Sequence, residues 1–170
     1  KDFKWNTVLA GFYFEYNGND GIFLGGGPNI IRNGFRKQPA SRHFARANVA
    51  PLTGASNVRY DGTWFQVFQE WDVKLESEFL FPKSYKNFFG FGNESSLQGR
   101  SLNYYRARLY QFNIEPGFLL KKNILELYAG IKFRGTNVEK DPNNIVTDPI
   151  DGIPNGELDE QYFAGVVTSL

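Results

Sequence analysis

The sequence predicts an all-β fold, an antiparallel up-and-down sheet of the kind that forms a transmembrane β-barrel. First, the stretch WDVKLESEFLFP (71–82) alternates large apolar and charged side chains, and this period of two is typical of a strand with two unlike faces. Second, no run approaches the ~18 consecutive apolar residues of a membrane helix. Third, short and long connections alternate, as they do when a barrel has turns at one end and loops at the other.

Nine strand-like segments follow one another along the chain. They cover 5–16, 21–32, 43–51, 57–65, 71–82, 87–92, 103–120, 124–135 and 161–170. The first two are joined by NGND (17–20), which we predict to be a turn because Asn and Gly tolerate positive φ. The second carries three consecutive glycines and Pro28, so we expect a bend, a bulge or a close backbone approach there.

The seventh segment changes phase along its length. Arg106 and Arg108 share one face, whereas the polar residues that follow are one position out of step. A bulge near Tyr110 or Gln111 would restore the register, and we predict one there. The eighth segment alternates cleanly, and the ninth ends in mid-pattern.

The connections also predict an orientation. If NGND is a periplasmic turn, the first strand runs downward from the cell surface, whereas outer-membrane barrels normally begin with a strand running upward. At least one further strand is therefore expected before Lys1. The odd count of nine also predicts missing strands, because bacterial single-chain barrels close with an even number of strands. We therefore expect residues 1–170 to be a single β-barrel region that is incomplete at both ends.

Charged side chains on the polar faces of these strands are the candidate lumen-lining residues. In a membrane barrel the apolar face meets lipid and the polar face meets the lumen. We interpret the set as a structural network more than a substrate route, since buried charges need partners. Its members are Arg59, Asp61, Lys74, Glu76, Glu78, Arg106, Arg108, Glu126 and Lys132.

Composition excludes several other functions. The 170 residues include no cysteine, so neither a disulfide nor a thiolate metal site can form, and the net charge of +1 argues against nucleic acid as a partner. His43 is the only histidine, and the acidic stretch 139–160 does not have EF-hand spacing. No set of nucleophile, base and orienting residue is present. We expect no cofactor, no metal and no enzymatic activity.

A soluble alternative reverses the two faces. Regularly spaced strands with turn signals also fit a soluble, lipocalin-like ligand-binding β-barrel, and GTW at 62–64 has the Gly-x-Trp form of that family. In that alternative Leu75 and Phe79 would line a dry interior, and Glu76 would face bulk water.

Several short motifs, in order, carry a family resemblance. They are NDGIFLGGG (19–27), NGFRKQP (33–39), RHF (42–44), VRYDG (58–62), NFFGFGNES (87–95) and YYRARLY (104–110). Together they resemble the barrel domain of the bacterial surface-antigen superfamily, the outer-membrane protein insertases and translocases, in a member of the Bacteroidota type. The inward-folded Arg-Gly-Phe/Tyr motif of that family is not found here, so no functional residue is carried over.

The resemblance implies a sixteen-stranded barrel in the bacterial outer membrane that inserts or translocates proteins. Its partners would be outer-membrane lipid and lipopolysaccharide, with client proteins or accessory subunits. A second possibility within the same resemblance is a barrel that anchors or secretes an enzyme, a phosphoesterase or hydrolase domain outside this stretch.

Overall fold

One eight-stranded antiparallel sheet contains nearly all of the regular structure. The computed structural model describes residues 4–89, 100–147 and 158–170, with the side chains of 82–84 left aside. The strands are β1 (Thr7–Asn17), β2 (Gly21–Arg32), β3 (Ser41–Val49), β4 (Ser56–Phe68), β5 (Trp71–Asn87), β6 (Arg106–Lys122), β7 (Leu125–Val138) and β8 (Gln161–Ser169). Two short 3-10 turns, Leu102–Tyr105 and Ile145–Thr147, lie in the connections.

The sheet is a meander, as the sequence predicts. Every strand pairs antiparallel with the next one along the chain, so the prediction of an all-β, up-and-down arrangement is confirmed. Among the described residues the outer edges of β1 and β8 have no strand partner, and the sheet is open. The predicted sixth segment begins with Asn87, which ends β5, and its residues 90–92 lie outside the described residues.

The connections fall into two groups at the two ends of the strands. One end, here called the loop end, carries 18–20, 50–55, 88–105 and 139–160. The other, here called the turn end, carries 33–40 and the two-residue turns 69–70 and 123–124. NGND therefore shares its end with the long connections, so the predicted grouping of NGND with the short turns, from which the downward direction of the first strand follows, is wrong. The predicted segments 71–82 and 87–92 leave a short connection between them, whereas β5 runs through this stretch to Asn87 without a turn.

The predicted bulge is on a different strand. Between Leu80 and Ser84 the pairing of β5 with β6 is irregular, and four steps along β5 match two steps along β6. The pairing of β6 with β7 runs evenly from Leu109 to Ile114, so β6 has no bulge near Tyr110. The extra residues of β5 include Pro82, which has no N–H to give to a ladder.

The glycine run of β2 allows a close backbone approach, which confirms that expectation. A Cβ added to Gly25 or Gly27 would collide with main-chain oxygens of β3, at Ala47 and Ala45 respectively. Only glycine leaves room for a neighbouring backbone at such distances. The backbones of β2 and β3 therefore approach each other closely at these two glycines.

Very little of the molecule is a dry core. One small buried cluster consists of Phe23, Ala50 and Ala55, and a second consists of Ala107, Val146 and Leu158. Both lie at the loop end, where connections fold over the sheet. Between the two ends the sheet is a single layer, and no second layer of the described residues covers either face.

Candidate functional site

The charged face of the sheet bounds a cavity. Cross-strand partners place Arg46, Arg59, Glu78, Asn113 and Arg134 in one row across five adjacent strands. The cavity has a volume of about 500 Å³ and is lined by this row and by charged neighbours of the same five strands. The sheet therefore curls toward its charged side.

Ion pairs join adjacent strands along this face. The Arg59 guanidinium lies 2.5 Å from the Glu78 carboxylate, which also accepts a hydrogen bond from the Asn113 amide at 3.5 Å. Asn113 accepts in turn from Arg134 at 2.8 Å. Arg59 and Arg134 are thus linked through Glu78 and Asn113 on the two strands between them, and such links stabilise charged side chains that are removed from bulk water.

A second group of charges surrounds Glu115. Its carboxylate lies 3.2 Å from the Lys132 ammonium and accepts a hydrogen bond from the Tyr128 hydroxyl at 3.0 Å. The Glu115 side chain is only 13% exposed, so its negative charge depends on these two partners. Lys74 and Glu76 form another ion pair beside it.

Seven of the nine predicted lumen-lining residues share the charged face. They are Arg59, Asp61, Lys74, Glu76, Glu78, Glu126 and Lys132. Arg59, Glu78 and Lys132 belong to the cross-strand ion pairs described above, and Lys74 and Glu76 pair with each other within β5. Glu126 pairs with Lys121 at 2.8 Å near the turn end.

Arg106 and Arg108 lie on the opposite face, which is a correction to the predicted set. They have the same parity along β6 as Phe112 and Phe118, and the pairing of β6 with β7 has no slip that would reverse them. At this end of β6 it is Ala107 and Leu109 that lie on the inner side, under the buried residues Val146 and Leu158. At this end of β6 the inner face is apolar and the outer face is charged, although the register of β6 with β7 does not shift.

Further members of the charged face were not singled out from the sequence. Glu15 lies 3.8 Å from Arg46, and Asn113, Glu115 and Arg134 complete the pairs already described. The alternation of β6 and β7 contained the signal for the last three, because Asn113 and Glu115 stand at every second place, as Lys132 and Arg134 do. The alternation predicts the face on which a residue lies, but it does not predict the residue on the neighbouring strand with which it pairs.

The other face is apolar and open. Its members on the inner strands include Val58, Phe118, Ile131 and Phe133, which are 39%, 47%, 49% and 45% exposed. Phe12 on β1 and Val166 on β8 reach 98% and 80%. This apolar face extends across all eight strands of the sheet, from β1 at one edge to β8 at the other. Soluble monomers rarely expose contiguous apolar patches of more than a few hundred Å².

A buried carboxyl holds the first turn against a distant strand. Asp20 is 1% exposed, and it accepts hydrogen bonds from Thr53 Oγ1 at 3.3 Å and from the backbone N–H of Tyr85 at 3.4 Å. β5 extends past β4 at this point, so the edge of β5 that Asp20 contacts has no strand beside it. Burial raises the pKa of the Asp20 carboxyl, because it disfavours the charged form, and the N–H of Tyr85 opposes that shift.

The described residues contain neither a membrane-spanning helix nor a metal-binding cluster. No helix in that part of the chain is both long and apolar enough to cross a membrane. No group of three or more His, Asp or Glu side chains there is arranged to hold a metal ion. His43 instead lies within hydrogen-bonding distance of Tyr60 and Ser41, at 2.8 Å and 2.9 Å.

Comparison with known proteins adds no family. No protein-family model, no curated protein and no solved structure matches this chain.

Proposed function

We propose that these strands are part of the wall of a bacterial outer-membrane β-barrel that inserts or translocates proteins. In this arrangement the apolar face lies against lipid, and the charged face borders an aqueous interior. The observation that carries the proposal is the pair of faces itself, an uncovered apolar face opposite a concave face of ion pairs. A soluble barrel places its apolar side chains on the concave side.

The height of the apolar face supports this orientation. On β6 the outward apolar side chains run from Tyr110 to Leu120, which is ten steps along the strand. At about 3.3 Å per residue that is about 33 Å along the strand. Tilted by about 40°, it spans about 25 Å along the membrane normal, which is the height of the apolar band of such barrels.

Aromatic side chains lie toward both borders of this band. Toward the loop end the exposed tyrosines Tyr16 and Tyr110 are 72% and 43% exposed. Toward the turn end lies Trp71, the first residue of β5, which pairs with Leu120 of the apolar face. Amphipathic rings favour the membrane–water interface, where one edge is apolar and the other is hydrated.

The charged face has polar atoms that suit a hydrated interior. Glu15 Oε2, Asn29 Oδ1, Arg46 Nε and Asn48 Oδ1 are buried and make no hydrogen bond to the described residues. Buried polar atoms without a partner are costly in a dry core, whereas water satisfies them in a lumen.

The role in protein insertion or translocation rests on the family resemblance of the motifs given above. Two of them, NDGIFLGGG and RHF, lie at the start of β2 and on β3, and the glycines of the first include the close backbone approach to β3. Exposed strand edges in hydrocarbon cost several kcal/mol for each unpaired group. A barrel that lowers this cost for an entering strand would perform the insertion physically, without covalent chemistry.

Single-cysteine labelling tests the orientation of the faces. The chain has no cysteine, so each introduced one is unique within it. Thr63 is on the charged face and Ala129 on the apolar face, and the register puts both at nearly the same height, beside Gly117 and Phe118 of β6. In outer membranes we expect Thr63→Cys to react with a hydrophilic maleimide and Ala129→Cys to react only with a lipid-soluble one. The reverse pattern, or recovery of the protein without detergent, would support the soluble alternative.

Depletion tests the cellular role. If the full-length protein inserts or translocates proteins, its depletion lowers the level of folded outer-membrane or surface proteins before growth stops. If the barrel only anchors an enzyme, those levels stay constant, and only the surface display of the fused domain is lost.

A further inference from the structure

A polar cavity at the loop end has no part in the charged face. Its volume is about 560 Å³, and it lies between the end of β5, the start of β6 and the connection after β7. Three arginines line it, namely Arg100, Arg106 and Arg108. The size is within the usual range for small-molecule sites.

Aromatic rings fix the positions of these guanidinium groups. Arg100 lies over the Tyr104 ring at 4.4 Å, and both Arg106 and Arg108 lie over the Tyr85 ring, at 5.8 Å and 5.3 Å. Arg108 also donates to the Tyr85 hydroxyl at 3.0 Å. Cation–π contacts hold the planar groups in place before any ligand arrives, and this lowers the entropic cost of binding.

Among the residues that the structure describes, the carboxylates of the cavity are fewer than its arginines. Its two carboxylates are Glu139, 3.5 Å from Arg108, and Asp141, which accepts from the backbone N–H of Asn143 at 3.0 Å. Within the described residues, Arg100 and Arg106 have no carboxylate at ion-pair distance. Arg106 Nε is in addition buried with no hydrogen-bond partner there, although its Nη1 donates to Asn103 at 3.3 Å.

The cavity opens on the same side of the sheet as the apolar face. Arg108 is two residues beyond Tyr110, the last outward apolar residue of β6, and therefore about 7 Å farther along the strand. In the proposed orientation that is the height of lipid headgroups.

We propose that this cavity binds a phosphate group, with Arg100 and Arg106 as its principal donors. Guanidinium groups bind phosphate oxygens through paired N–H bonds, and Arg106 Nε is a donor with no other acceptor among the described residues. The place of the cavity at the border of the apolar face favours the phosphorylated headgroup of a glycolipid as the carrier of that phosphate. This choice of carrier rests on the proposed membrane orientation, whereas the phosphate chemistry does not.

The experiment uses the full-length protein in two settings. In detergent micelles, calorimetry with inorganic pyrophosphate tests the phosphate chemistry without any membrane. In nanodiscs of phosphatidylcholine, lipid A with both phosphates is compared with dephosphorylated lipid A. We expect Arg106→Gln to weaken binding on the order of 10- to 100-fold, since it removes charge-assisted hydrogen bonds. Arg106→Lys keeps the charge but lacks the planar guanidinium, so its affinity is expected to lie between those of the wild type and Arg106→Gln.

Arg36→Gln is the matched control. Arg36 is an exposed arginine in the connection 33–40, at the turn end of the sheet. If lipid A binds more tightly than pyrophosphate and dephosphorylated lipid A does not bind, the result supports a glycolipid headgroup as the ligand. Equal affinity for pyrophosphate supports the phosphate site with a soluble ligand. Absence of pyrophosphate binding and of any preference for phosphorylated lipid A, or an equal loss in Arg36→Gln, overturns the site. The cysteine labelling is read separately, so failure of one proposal does not imply failure of the other.

Discussion

A lysine placed on the apolar face should cost stability according to its height in the sheet. Ile131 and Leu125 are both on β7, both on the apolar face and almost equally exposed, at 49% and 48%. They differ in height. Ile131 falls opposite the middle of the Tyr110–Leu120 stretch of β6, and Leu125 pairs with Lys122 at the turn end.

The expected magnitudes follow from that difference. A lysine on the lipid face of a barrel costs about 2–4 kcal/mol at the membrane midplane and about 0–1 kcal/mol near the interface. We therefore expect Ile131→Lys to destabilise the protein by about 2 kcal/mol more than Leu125→Lys, which is roughly 30-fold in the folding equilibrium. If water surrounded the apolar face, two equally exposed sites would differ by only about 0.5 kcal/mol.

The measurement is urea unfolding of the full-length protein in lipid vesicles. The free energy of unfolding is obtained for the wild type and both variants under the same conditions, with m compared to verify that the surface exposed on unfolding is unchanged. Equal losses for the two variants, or a larger loss for Leu125→Lys, would refute the assignment of this face to lipid.

Two further predictions concern the glycine run and the buried turn. Gly27→Ala should lower the free energy of unfolding by about 2 kcal/mol or more, because its Cβ strikes main chain, whereas Gly165→Ala, with nothing within 4 Å, should be neutral or slightly stabilising in the same urea assay. The pKa of Asp20 is raised in the folded state, so its contribution is greatest below the unfolded pKa, near 3.8, and declines as pH rises through the folded value. The free energy of unfolding of the wild type should therefore fall relative to that of Asp20→Asn as pH rises through this range in the same urea assay; a difference between the two proteins that does not change with pH would contradict it.

Local alternation predicted which residues share a face, and it did so well within uninterrupted strands. Lys74, Glu76 and Glu78 lie together on the charged face because a period of two follows from the strand itself. The strand ends were less predictable. Pro82 reads as a turn residue, yet β5 passes through it, since its missing N–H falls where the ladder with β6 is already irregular.

That one misplaced boundary had a long-range consequence. An added connection exchanges the two ends of every strand before or after it, so the predicted grouping of the connections is wrong although most strands are placed correctly. Strand pairing is a non-local property, and the sequence contains no local signal for which connections share an end. The same limit explains why the Glu15–Arg46 contact, between strands that are not neighbours in the sheet, was not predicted.

The change of polarity along β6 is the strongest internal argument for the proposed orientation. Up to Leu109 the inner side of β6 is apolar and covered by the connection after β7, whereas the outer side carries Arg106 and Arg108. From Tyr110 onward the order is the opposite, with Gln111, Asn113 and Glu115 inside and apolar side chains outside. In the proposed orientation, this change marks the height at which the outer surroundings pass from water to hydrocarbon. The loop-end border of the apolar band is therefore expected at Tyr110, the residue type that favours such a border.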